Sequence, residues 1–174
     1  ATLALSTPRG ARDTIVTAGT NADVREVNRR IQESMRARGQ LGEYAVECND
    51  VSLHLGDRVM VTKNNRLLSL ENGATGEVSG VEGRTVWVKL DTGFEVEIDT
   101  ADFSHLTLGY AFSVHKSQGM TCENSLSLTG DVMTDRELSY VAGSRARSKT
   151  MLYTFEAAVQ GIAGLAAMMN RTRQ

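Results

Sequence analysis

A chain of 174 residues with 41% hydrophobic and 23% charged side chains is long enough to bury a core and too apolar for wholesale disorder. Its two cysteines, Cys48 and Cys122, exclude a disulfide framework or a zinc cluster. No apolar run approaches the ~20 residues of a membrane span and no signal peptide opens the chain, so a reducing, cytoplasmic compartment away from membranes is expected. The formal charge of −2 hides a division along the chain. Residues 1–50 hold seven Arg against seven acids, residues 51–104 five bases against nine acids, and residues 105–174 seven bases against five. The sum therefore decides nothing about nucleic acid, because a local patch is what binds.

Ala1 to Asp13 has no period, contains the single proline, Pro8, and reads as a loop. Thr14-Ile15-Val16-Thr17-Ala18 is β-branched and apolar, as a buried strand requires. Gly19-Thr20-Asn21 breaks it. Val24, Val27, Ile31 and Met35 then recur at helical spacing, with Thr20 or Asn21 as the cap and Gly39 as the stop. Strand, turn and helix make half of an α/β unit.

From about Cys48 to Asp102 the period shortens. Arg58–Val61, Gly76–Val81, Thr85–Leu90 and Phe94–Ile98 alternate as strands, with Asn72-Gly73, Glu82-Gly83 and Thr92-Gly93 as turn signals. Several short strands in so few residues suit a small barrel of the SH3 type, with Val59, Val61, Val78, Val86, Val88, Leu90 and Val96 as its core. Trp87 alternates with the core valines, so it either faces solvent, where it stacks on a base, or packs on a neighbouring loop. The charge shift coincides with the change of period, which marks residues 46–104 as an insertion.

Beyond it the α/β pattern resumes. His105–Leu108, Ser125–Leu128 and Thr150–Phe155 read as strands, a Thr134-x-x-Glu137 capping box opens a helix to about Arg145, and Ala157–Asn170 reads as a last helix. Strands alternating with helices on both sides of the insertion imply a mainly parallel sheet.

Two segments carry groups suited to chemistry. Gly109-Tyr-Ala-Phe-Ser-Val-His-Lys-Ser-Gln-Gly-Met-Thr121 gathers hydroxyls, an imidazole, an ammonium, an amide and a close-approach glycine. Such a set contacts phosphates without reading bases, although a polar loop with one solvated Lys has the same composition. In Glu137–Arg147 an apolar helical face ends in Arg145 and Arg147. Cations there either compensate the helix dipole or reach a phosphoryl group. The arginines of the first helix, among them Arg25, Arg29 and Arg30, read as a solvated face. A hydrolase built on Ser113 and His115 is not expected, since no orienting carboxylate is evident beside them, and a metal site is not expected either, since the three histidines stand alone and neither cysteine has a partner motif.

Together the segments resemble a known family. Gly109–Thr121, with its His-Lys-Ser-Gln-Gly core, resembles motif V of RecD-like superfamily 1 DNA helicases, and Tyr140-Val-Ala-Gly-Ser-Arg-Ala-Arg147 resembles their motif VI. Thr17–Arg30, with Asn21 and Asn28, is similar to the motif IV region. Gly56–Asn65, Asn72-Gly73 and Gly76–Val78 resemble the SH3-like insertion of that branch, which includes the helicase portion of TraA-type conjugative relaxases. The resemblance implies a second RecA-like lobe, residues 1–45 and 105–174, with a mainly parallel sheet, helices on both faces and the SH3-like barrel of residues 46–104 inserted. It further implies Arg145 as an arginine finger, nucleotide contact by Arg145, Gln118 and Gly119, and single-stranded DNA backbone contact by Ser113, His115, Lys116 and Ser117. It implies that ATP and Mg²⁺ act in an intact enzyme and that an upstream first lobe is the partner. The chain holds neither a GxxxxGK[ST] loop nor a strand ending in paired carboxylates, so no ATP hydrolysis is expected of it alone. The competing reading is a stand-alone SH3-like interaction module with no nucleic-acid role.

Overall fold

The computed structural model describes residues 14–117, 122–129, 140–141, 144, 146–154 and 161–171. The chain divides into two compact units, residues 27–110 and the remainder on either side of it.

The discontinuous unit is built on four parallel strands in the order β11-β10-β1-β9: β1 (Thr14–Ala18), β9 (Ala111–Ser113), β10 (Cys122–Leu128) and β11 (Ala146–Tyr153). β1 lies inside the sheet and all five of its residues are buried, as its near-continuous apolar sequence demands. The hydroxyls of Thr17 and Ser127, opposite each other on β1 and β10, satisfy one another at 2.6 Å. The last helix, α2 (Gly161–Met169), half-buries Leu165 and Met168, while Ile162 is exposed.

Helix α1 (Asn21–Ala37) follows β1. Thr20 is its cap: the Asp23 N–H donates to Thr20 Oγ1 at 3.1 Å, and the Thr20 hydroxyl donates to Asp23 Oδ2 at 2.6 Å. At the other end Gly39 takes φ +65°, the Gly39 N–H bonds Arg36 O and the Gln40 N–H bonds Met35 O. That is the Schellman stop a glycine makes cheap.

The continuous unit is antiparallel. β2 (Ala45–Cys48) and β3 (Val51–His54) form a hairpin whose two-residue turn places Asn49 at φ +54°. β4 (Arg58–Val61), β5 (Thr75–Glu82), β6 (Thr85–Leu90), β7 (Glu95–Asp99) and β8 (Leu106–Leu108) make a sheet in the order β7-β6-β5-β4-β8. Val59, Val61, Val78, Val86, Val88, Leu90 and Ile98 are buried in its core, and Val96, Ile31 and Met35 pack against them. Trp87 is half-buried and lies over Gly80, beside a bulge in β5; a Cβ on Gly80 would meet its ring at 3.0 Å.

One strand differs from its sequence reading. Residues 105–108 were expected to lead back into the parallel sheet, yet β8 pairs antiparallel with β4, Val59 opposite Leu108. The strand that pairs parallel with β1 is Ala111–Ser113, just beyond it. Gly109 makes the passage possible, because a Cβ there would stand 2.7 Å from the Val59 carbonyl carbon. Gly109→Ala therefore pushes the chain off β4, and about 1–3 kcal/mol of stability is lost. A lower urea midpoint at unchanged slope reads this out; an unchanged midpoint refutes the close packing.

Candidate nucleic-acid interface

β9 delivers the candidate groups. Ser113 is its last residue, and the chain then makes one helical turn closed by the Ser117 N–H on Ser113 O at 3.0 Å. The Lys116 N–H donates to Ser113 Oγ at 3.3 Å, so the Ser113 hydroxyl braces the turn. The Val114 N–H donates to Ala18 O at 3.3 Å, tying the turn to the carboxyl end of β1. Parallel α/β sheets bind ligands at that edge, where side chains are free of strand pairing and helices begin. Thr20, the cap of α1, follows Ala18 by two residues.

His115 and Lys116 stand exposed on this turn, and Ser113 is half-buried beside them. Ser117, the fourth of the expected DNA contacts, lies at the end of the turn. It is 0% exposed and its hydroxyl donates to Val114 O at 2.7 Å, so it holds the turn's shape. Of the expected nucleotide contacts, Gln118 and Gly119 lie outside the described residues, as does Arg145. Arg147, read as a helix-end cation, is in fact an exposed residue of β11, because that strand already begins at Ala146. Tyr140 and Val141 are helical, and the Ser144 N–H returns to Tyr140 O at 2.9 Å.

A buried polar cluster in the continuous unit escaped the sequence reading. Asp57 is fully buried, its Oδ1 accepting the Tyr110 hydroxyl at 2.5 Å. Its Oδ2 accepts the Gln32 amide and the His54 N–H, each at 2.7 Å. Asn28, also buried, accepts the Tyr110 N–H at 3.0 Å. The cluster thus joins α1, the β3–β4 turn and the residue immediately before β9. Burial pushes the Asp57 carboxyl above its ordinary range, against the pull of its donors. Burial, and next the Asp57 charge, push the Tyr110 phenol up as well, which keeps it a donor. Gly56–Asn65 carried a family resemblance in the sequence, but which side chains would meet the Asp57 carboxylate was not legible there.

Cys48 and Cys122 are buried free thiols, and burial raises the Cys48 pKa. Among the described residues no cluster of three or more His, Cys, Asp or Glu is placed to hold a metal, and no helix is long and apolar enough to cross a membrane.

No protein-family model matches the chain. It is 32% identical over 166 residues, 92% of its length, to the conjugal transfer protein TraA of Agrobacterium fabrum. It is 35% identical over 111 residues, 62% of its length, to the ATP-dependent RecD2 DNA helicase of Deinococcus radiodurans. The chain spans about 15% of the length of each of these relatives. Among solved structures, a Bacteroides Pif1 helicase in complex with ADP-AlF3 and ssDNA matches with a TM-score of 0.60 at 20% identity, covering 88% of this chain and 45% of that one. At that identity the likeness is one of fold.

Proposed function

We propose that this chain, a homologue of TraA and of the RecD2 and Pif1 superfamily 1 DNA helicases, is the second RecA-like lobe of an ATP-dependent DNA motor. The observation that carries the reading is the exposed His115–Lys116 pair, held on a braced turn at the carboxyl edge of a parallel sheet, in a chain whose relatives include named DNA helicases. Lys116 supplies a point charge and His115 a donor for the sugar–phosphate backbone, with Ser113 setting their turn. The antiparallel strands of residues 46–104 are read as the SH3-like insertion, which guides the strand by shape.

ATP and Mg²⁺ enter through the other lobe, since this sequence has no phosphate loop and no described carboxylate cluster for a metal. What this chain offers the nucleotide is Arg145, whose guanidinium neutralises phosphoryl charge only when the two lobes close. That differential contact biases closing and opening, and the turn at Lys116 converts the cycle into movement along the strand.

Fluorescence anisotropy of a labelled single-stranded oligonucleotide tests the reading. The chain binds with an affinity that falls with salt, and His115→Ala/Lys116→Ala weakens it several-fold while lowering the salt slope by about one. Equal binding by the variant at every salt concentration removes this turn from the interface. The interaction-module reading is not favoured, because the TraA match runs over 92% of the chain, far beyond the antiparallel unit.

A further inference from the structure

The β4–β5 connection, residues 62–74, is built as a rigid support for one exposed side chain. Asn65 and Leu70 exchange both backbone hydrogen bonds at 2.8 Å. Asn65 Oδ1 accepts the N–H groups of Leu67 and Leu68 at 3.0 and 3.2 Å, and Asn64 Oδ1 accepts the Asn72 N–H at 2.6 Å. Ser69 turns the chain at φ +53°. Leu70 is buried in the core and Leu68 packs against it, whereas Leu67 at the tip is 97% exposed. Hydration of that leucine is unfavourable, and the loop is too well tied for the side chain to fold back.

Charge selects what covers it. Residues 51–104 hold five bases against nine acids, and three of those bases are engaged or faced by acids. Arg58 forks onto Asp91, Arg84 pairs with Asp99, and Lys89 sits in register between Glu77 and Glu95. The other two, Lys63 and Arg66, are exposed on this loop and form no ion pair among the described residues; Glu71, also exposed, is the loop's one acid. Within acidic residues 51–104 the two unengaged cations thus lie on the loop that carries the exposed leucine.

We infer that this loop is a contact site for double-stranded DNA, with Leu67 against a base-pair step and Lys63 and Arg66 on the flanking phosphates. Proteins that wedge base steps use aliphatic side chains such as leucine, whereas single-strand platforms stack bases on aromatic rings, and the tip carries none. The inference rests on the proposed role as a DNA motor lobe, and it adds a duplex contact apart from the His115–Lys116 turn.

The test compares anisotropy of a labelled duplex hairpin and a labelled single strand, using the 174-residue chain, L67S and K63Q/R66Q. All three changes are at exposed positions, so thermal unfolding should be unchanged, and a circular-dichroism melt checks this. K63Q/R66Q is expected to weaken hairpin binding about tenfold and to lower its salt slope by about two. L67S is expected to weaken hairpin binding several-fold at unchanged slope. Neither alters single-strand affinity. Hairpin binding untouched by both variants, while His115→Ala/Lys116→Ala still impairs the single strand, overturns this inference and leaves the motor-lobe reading standing. A hairpin loss confined to K63Q/R66Q overturns the wedge and assigns Leu67 to a protein surface. Absence of any DNA binding by the wild-type chain overturns both.

Discussion

If the proposed motor-lobe reading holds, Arg145→Ala in a protein that joins this chain to a first lobe is expected to lower ATP turnover by about three to five orders of magnitude. That loss equals about 4–7 kcal/mol of transition-state stabilisation, far more than a helix-end cation contributes to a dipole, about 0.3–1 kcal/mol. The two readings of Arg145 thus differ in expected effect so widely that one turnover assay separates them. Single-stranded DNA binding measured alongside should be unchanged, because the proposed reading assigns Arg145 to the nucleotide and the strand to the Lys116 turn. A loss of turnover under tenfold, with DNA binding intact, would leave the arginine as a structural cation. Arg145→Lys sharpens the result: it keeps the charge and loses the planar fork, so a true finger stays impaired.

Asp57→Ala lowers the unfolding free energy of the continuous unit by about 3–5 kcal/mol. The substitution strands three donors at once, the Tyr110 hydroxyl, the Gln32 amide and the His54 N–H, in a place where the carboxylate is 0% exposed. The single tryptophan, Trp87, lies in that unit, so urea unfolding followed by its fluorescence reports the effect directly. A loss below about 1 kcal/mol would mean that water enters and replaces the carboxylate. A pH dependence accompanies it. The folded pKa of Asp57 lies above its unfolded value, so its protonated form is favoured by the fold. This contribution is fully present below the ordinary carboxylate range and is lost as pH rises through the raised value. The wild-type midpoint therefore contains a component that falls with rising pH across that window, and Asp57→Asn abolishes it.

Local rules account for much of what could be read in advance. The cap at Thr20, the stop at Gly39, the buried β1 and the alternating strands β5 and β6 follow from spacing and turn chemistry within a few residues of each element. The motif around His115 and Lys116 was equally visible, because a lysine beside a histidine and two serines after an apolar run is a short-range pattern. What misled was pairing. Leu106–Leu108 and Ala111–Ser113 are both short apolar runs and sit two residues apart, yet one pairs antiparallel with β4 and the other parallel with β1. Nothing in either tripeptide specifies its partner.

The sequence by itself determined the mixed α/β character, the change of period that marks the antiparallel segment, and the polar run that ends in His115 and Lys116. Each depends on residues close together in the chain. Only the tertiary structure decided that Ser117 points inward onto Val114 O, that Arg147 belongs to a strand, and that Leu67 stands out on a tied loop. It alone brought Asn28, Gln32, Asp57 and Tyr110 into one cluster, across 82 residues of chain between the first and the last. The physical reason is that burial and hydrogen-bond satisfaction are properties of the packed surroundings. A hydroxyl or carboxylate has the same local sequence whether it faces solvent or a partner far along the chain.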